Sequence, residues 1–371
     1  SVFPLSMKQY DLDIYLFNCK NGTLDLRTME FREHRPEDFL TKVSPVIYAP
    51  DADCPRWRTF ITEIMQGDKA RADYLQKAIG YSLTGDTRME CLFILYGPTS
   101  RNGKGTTMES ILRIMGEYGK NADPTMLQAK FNSQSGGPSE EIARLAGSRF
   151  VNISEPEKKI TLDAALTKRL TGNDTITARY LHENSFEFRP NFKIFINTNH
   201  RPNITDLTLF ESGRIKIIPF DRHFEENEQD KDLKSTFAKP ENMSGILNWM
   251  LEGYKLFRSQ GLAMPDSVVQ ATTDYQIFSD KMGQFFDECI EEKEGCELRR
   301  GAVYTRYKEW CGENGYRAEA AKNLNQEIEK RYKTARKRPN DGASSSTTPM
   351  VLDVAFTASE ESKEDFAPLT S

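Results

Sequence analysis

The run Leu92-Phe93-Ile94-Leu95-Tyr96-Gly97, followed six residues later by Gly103-Lys104-Gly105-Thr106-Thr107, sets an apolar strand, a glycine-bounded turn and a helix start in one short stretch. That order suits a phosphate cradle. Turn glycines let successive backbone N–H groups converge on phosphate oxygens, the helix N-terminus adds partial positive charge, and a lysine reaches the β- and γ-phosphates. Met108, Ile111, Leu112 and Met115 continue at helical spacing. The match to G-x-x-x-x-G-K-[ST] is imperfect. Counting back six residues from Lys104 reaches Pro98, so Gly97 makes the loop one residue longer than the pattern. Gly105 stands where a Ser or Thr hydroxyl normally meets Mg²⁺, which leaves that role to Thr106, Thr107 or water. The alternative is a glycine-containing turn ahead of an ordinary helix.

From about Cys91 to Phe220 apolar runs alternate with helical patterns and polar loops, which predicts an α/β domain over 86–225. Candidate strands are Arg149 to Ser154, ending in Glu155-Pro156-Glu157; Phe192 to Ile196, ending in Asn197-Thr198-Asn199; and Arg214 to Phe220. Ligands of open α/β sheets sit at the carboxyl ends of strands, where these polar residues fall. Ahead of this domain, Asn21-Gly22 predicts a hairpin between two apolar runs, and Trp57, Phe60, Ile61 and Ile64 mark a helical face. Residues 1–85 therefore read as an accessory domain and 226–280 as a helical lid or collar. Short helices over 281–338, the last one basic, suggest a winged-helix or helix-turn-helix module. The Ser/Thr-rich, acidic stretch 339–371 has the composition of a disordered tail.

Charge has to be localised before it says anything about partners. The net charge is −5, and residues 339–371, with one Lys against six acids, account for all of it. Residues 295–338 carry twelve Lys/Arg against six Glu, so a basic module precedes an acidic tail. No apolar run approaches the ~20 residues of a membrane span, and the N-terminus lacks a signal-peptide pattern. Six cysteines without a Cys-x-x-Cys pair read as reduced thiols of a cytoplasmic protein, with no zinc site expected.

Five motifs occur in a set order: Asn102-Gly103-Lys104-Gly105-Thr106; Arg149-Phe150-Val151-Asn152-Ile153-Ser154-Glu155-Pro156-Glu157; Lys168-Arg169-Leu170-Thr171-Gly172-Asn173-Asp174; Asn197-Thr198-Asn199-His200-Arg201-Pro202; and Arg214-Ile215-Lys216-Ile217-Ile218-Pro219-Phe220. The series resembles a superfamily 3 helicase of the phage and plasmid primase-helicase type, akin to the poxvirus one. The similarity runs from about Asn18 to about residue 330. It implies a P-loop, AAA+-like ATPase core with an N-terminal accessory domain and a C-terminal helical or winged-helix module. The primase domain that often precedes such a region is not expected here.

The resemblance also implies roles. Gly97, Asn102, Gly103, Lys104, Gly105, Thr106 and Thr107 would hold ATP, and Thr106 and Glu155 would meet Mg²⁺. Glu155, or Glu157 in its place, would polarise the attacking water, and Asn199 would sense the γ-phosphate. Arg214 would be an arginine finger supplied by the neighbouring subunit of a homo-hexameric ring. Thr175 to Phe188 would be a hairpin in the ring's channel, with Lys168, Arg169, Arg179 and His182 as candidate contacts to single-stranded and forked DNA. The expected activity is ATP-driven DNA unwinding in the replication of a phage, plasmid or integrative element, with a separate primase or other replication protein as a further partner. A DNA-binding initiator or scaffold that uses ATP only as an assembly switch is the rival reading.

Overall fold

The computed structural model describes residues 10–129, 140–154, 160–316, 318–337 and 347–357. The chain divides into two compact units, Ser1–Ser279 and Asp280–Ser371. In the first, a small antiparallel sheet of β1 (Leu16–Cys19), β2 (Gly22–Asp25) and β3 (Glu30–Arg32) precedes helices α1 (Pro55–Ile64) and α2 (Lys69–Tyr81). Next come β4 (Leu92–Tyr96), α3 (Lys104–Met115), β5 (Gly119–Ala122), α4 (Glu140–Ala143), β6 (Phe150–Ser154) and α5 (Ala164–Thr171). The hairpin strands β7 (Ile176–Ala178) and β8 (Phe186–Phe188) lead to β9 (Lys193–Thr198), α6 (Thr208–Glu211) and β10 (Ile215–Pro219). Helices α7 (Leu233–Phe237), α8 (Pro240–Gln260) and α9 (Asp266–Ser279) complete the unit.

Five parallel strands in the order β10-β4-β9-β6-β5 form the central sheet. A strand sends alternate side chains to opposite faces, and both faces are buried here, as a parallel sheet requires. Phe93 and Leu95 face one apolar cluster with α1, α2, α3 and α8, while Leu92 and Ile94 face another. On the first face the rings of Phe93, Phe195 and Phe150 stack across three neighbouring strands at 4.8 Å. The α/β class with a P-loop-like core is thus borne out.

At the amino ends of the central strands two buried cations bind backbone oxygens. Arg149 donates to Leu83 O at 2.7 Å and Leu16 O at 2.8 Å, and Lys193 donates to Asp86 O at 3.1 Å and to Thr84 O. Burial pushes the Lys193 ammonium well below the usual lysine range. These bonds tie the small sheet and the end of α2 to β6 and β9, so the residues on either side of 85 share one unit.

The segment expected to be a lid lies in the same unit. Helix α8 packs along α2 so closely that a Cβ on Gly253 would stand 2.1 Å from Gln76 O, and one on Gly80 2.3 Å from Tyr254 N. Backbone at that distance has no flexible end to yield. Gly253→Ala is therefore expected to lower stability by about 1–3 kcal/mol, the range for overpacking, measured by denaturant unfolding. An unchanged midpoint would show that the two helices separate without cost. Helix α9 meets the edge strand, where Thr272 Oγ1 accepts from Ile217 N at 3.1 Å.

The second unit runs α10 (Lys281–Cys289), β11 (Ile290–Arg299), α11 (Arg300–Glu313), α12 (Ala321–Arg331), β12 (Thr334–Lys337) and β13 (Thr348–Phe356). Its sheet is antiparallel in the order β11-β13-β12, and helix–strand–helix–helix–strand–strand is the order of a winged helix. Phe285, Tyr307, Trp310, Leu324, Ile328 and Val354 fill its core. The expectation of disorder throughout 339–371 is corrected by β13. Its Val351 and Val354 are buried, so this part of the tail is the middle strand of the sheet. Residues 358–371 lie outside the described residues.

Candidate nucleotide-binding site

Strand β4 ends at Tyr96, and the chain turns through 97–103 before α3 begins at Lys104. The segment after β10 braces this loop: Phe220 N donates to Tyr96 O at 2.7 Å and Phe224 N to Arg101 O at 2.9 Å. Within it, the buried Asn102 donates from Nδ2 to Thr99 O at 2.6 Å. Gly103 caps the helix at φ 87°, a left-handed conformation that favours glycine. A Cβ there would also stand 2.4 Å from Ile64 Cγ2.

Lys104 is 3% exposed. Its Nζ donates to Asn199 Oδ1 at 2.6 Å and to Gly97 O at 3.4 Å, so the loop lysine and the end of β9 converge on one point. A Cβ on Gly97 would lie 3.2 Å from that Nζ and 2.3 Å from Phe220 O. Only glycine fits between these groups at this position. Asn197, near the end of β9, is partly exposed, and Asn199 lies just past the strand's last residue.

The two threonines differ. Thr107 is buried and its hydroxyl donates to Gly103 O at 3.0 Å, whereas Thr106 lines a cavity of about 200 Å³ with Phe60, Arg101, Gly103, Phe224 and Leu233. A Cβ on Gly105 would meet nothing within 4 Å. Phe60 reads in the sequence as a helix-face residue, and nothing in the sequence near Phe224 or Leu233 signals that they reach the loop. Glu155 and Glu157 lie outside the described residues. Among the described residues no cluster of His, Cys, Asp or Glu could hold a metal ion.

Arg214 is not brought to Lys104. Ile215 pairs with Leu92 at the start of β4, and Pro219 with Tyr96 at its end. Six residues at ~3.3 Å each put Arg214 on the order of 20 Å from the loop. There its Nη2 meets Glu90 Oε2 at 2.7 Å and its Nη1 donates to Thr171 Oγ1 at 2.9 Å. At the carboxyl edge Arg201, a motif residue to which the sequence assigns no role, lies over the rings of Tyr96 and Phe278 at 5.0 and 5.1 Å.

The candidate DNA contacts fall into two groups. Lys168 is engaged by Asp206 at 2.9 Å and Thr208 Oγ1 at 2.7 Å. Burial alone would raise the Asp206 carboxyl, but hydrogen bonds from Thr208 and Lys168 outweigh it and hold the group below its ordinary range. Arg169 and Arg179 are exposed and make no ion pair among the described residues. His182 is exposed on the turn between β7 and β8 with φ 65°, and Arg189, which the sequence reading passed over, is exposed at the hairpin's base.

With this geometry in hand, similarity to known proteins is informative. Residues 2–66 match the family described as D5 N terminal like, and residues 278–357 match Poxvirus D5 protein-like. Two separate parts of the chain are thus similar to poxvirus D5-type proteins. Between these two parts, residues 95–214 match a family of unknown function (DUF5906), whose bounds enclose Lys104, Asn199 and Arg214. "Putative helicase L207/L206" of Acanthamoeba polyphaga mimivirus is 27% identical over 334 residues, covering 84% of this chain and 34% of that one. "Putative helicase 022R" of Frog virus 3 is 25% identical over 310 residues, 79% of this chain and 30% of that one. The chain thus spans about a third of the length of these relatives. The apo structure of the NrS-1 C terminal region superposes with a TM-score of 0.52 at 13% identity, over 85% of this chain and 80% of that one, and shares its fold. The resemblance to poxvirus-type primase-helicases is borne out. No helix among the described residues is long and apolar enough to cross a membrane.

Proposed function

We propose that this chain is the ATP- and Mg²⁺-dependent motor of a superfamily 3 DNA helicase, working as a homo-hexameric ring that translocates on single-stranded DNA. One observation carries the ring reading: the cradle at Lys104 and the finger candidate Arg214 stand at opposite ends of the same sheet, bridged by the Leu92–Ile215 and Tyr96–Pro219 pairs. A site that needs both takes them from two protomers. Lys104 and the loop amides would take the phosphate chain, and the adjoining cavity at Thr106, where Phe60, Phe224 and Leu233 stand among charged side chains, offers apolar contacts for the base. Mg²⁺ is held chiefly by nucleotide phosphates and water, so a site without a protein-only ligand cage suits it, with Thr106 and Glu155 as protein contacts. Bound there, the ion neutralises charge on the β- and γ-phosphates. Lys104 and the loop amides orient the phosphates, Asn199 fixes the γ end, and Glu155 or Glu157 would receive the water's proton.

Arg179, Arg189 and His182 on the hairpin supply exposed contacts of the kind that grip a DNA backbone without reading sequence. In the second unit, Lys322, Asn323 and Gln326 share the face of α12 opposite the buried Leu324 and Ile328. A cation and two amides on the third helix of such a fold suit duplex DNA. Strand displacement tests the motor reading against the switch reading. ATP-dependent separation of a forked duplex is expected, with none when the analogue cannot be hydrolysed; nucleotide-dependent assembly on DNA without any separation would replace the motor by a switch.

A further inference from the structure

We infer that Glu90 is a positioning residue for Arg214, and that it presents the guanidinium to the neighbouring protomer's nucleotide. The inference rests on the ring reading above. A guanidinium has five N–H donors, and three of Arg214's are accounted for. Both on Nη1 are used, one by Thr171 Oγ1 at 2.9 Å and one by the Glu90 backbone oxygen at 3.3 Å; one on Nη2 is used by Glu90 Oε2 at 2.7 Å. Nε–H and the second N–H of Nη2 have no acceptor among the described residues. The three bonds fix the plane of the fork and leave two donors for an incoming phosphoryl oxygen.

The surroundings are built to hold this arrangement. Glu90 has φ 44°, a conformation uncommon outside glycine, and in this bend its carboxylate and its own carbonyl both turn to one guanidinium. Glu90 N donates to Thr87 O at 2.9 Å, and Leu92 N donates to Arg214 O at 2.8 Å, so both sides are anchored through their backbones. Thr171 donates its hydroxyl proton to Thr167 O at 2.8 Å, which leaves its oxygen to accept from Arg214. The side chain of Arg214 is 17% exposed and that of Glu90 42%, which places the pair near the surface with the cation held further in. This also gives a purpose to the Lys168-to-Asp174 motif, whose Thr171 belongs to the clamp.

Steady-state ATPase kinetics on the assembled protein with single-stranded DNA test the inference. Glu90→Ala is expected to lower kcat about 10–100-fold, the range for a misplaced reacting group, with KM for ATP within about twofold of wild type. Glu90→Gln, which keeps an acceptor at the same place, should recover most of the loss. Arg214→Ala and the double variant Glu90→Ala/Arg214→Ala should be equally slow, because Glu90 acts only through Arg214. Thr171→Val, which keeps the shape and removes the Nη1 acceptor, should show the same kcat signature and stands in if Glu90→Ala does not fold. Wild-type kcat in Glu90→Ala, or losses that multiply in the double variant, would overturn the inference. Wild-type kcat in Arg214→Ala would instead remove the shared-site reading on which it rests.

Discussion

Lys104→Ala is expected to lose ATP turnover by at least about 10²–10³-fold, the cost of removing one preorganised donor from a transition state. The side chain is buried, so its charge acts through protein rather than through water, and it is the amine that meets both Gly97 O and Asn199 Oδ1. Its loss takes the point charge from the β- and γ-phosphates and one hydrogen bond from the Asn199 oxygen. Nucleotide affinity should fall together with turnover, because the contact exists in the ground state as well. The fold should survive, since Lys104 opens α3 and the helix is held by Met108, Ile111, Ile114 and Met115 beneath it. Turnover, nucleotide binding and thermal unfolding measured side by side check this. Wild-type turnover in a folded variant would remove the assignment of the site.

Arg214→Ala is expected to slow turnover by about 10³-fold or more, as the loss of an arginine finger does, while ATP affinity stays near wild type. The two variants should separate in this respect. Lys104 touches the nucleotide from the start, whereas a cation from the next protomer matters most once charge spreads over the transferring phosphoryl oxygens. A variant that lost binding and turnover together would speak for a structural role, in which Arg214 merely joins the turn before β4 to the end of α5 through Glu90 and Thr171.

Much of this was legible in the chain because its signals are local. The apolar run from Leu92 to Tyr96 with glycines behind it specifies a strand and its turn, and Asn21-Gly22 marks the hairpin between β1 and β2. Strand β5 carried no such signal: Gly119-Lys120-Asn121-Ala122 is an edge strand, fixed by pairing with β6 rather than by its own side chains. Strand β11 was hidden by its acids, and its pairing with β13 slips between Glu292 and Glu297. The helical character of 226–280 was visible, but the partner of α8 was not, since the close approach of Gly253 to Gln76 joins residues far apart in sequence. The same holds for Glu90, which lies 124 residues from Arg214. An ion pair across that separation leaves no trace in spacing or composition.

The central claim is that one site is divided between two protomers, and mixing two inactive variants addresses it most directly. Lys104→Ala retains Arg214 and Arg214→Ala retains Lys104. In a randomly mixed head-to-tail ring, roughly a quarter of the interfaces then pair an intact cradle with an intact arginine. The account predicts that equal amounts of the two dead proteins, assembled together on single-stranded DNA, regain ATP turnover that neither has alone. Mixtures that stay as inactive as their components, although mixed rings form, would contradict it.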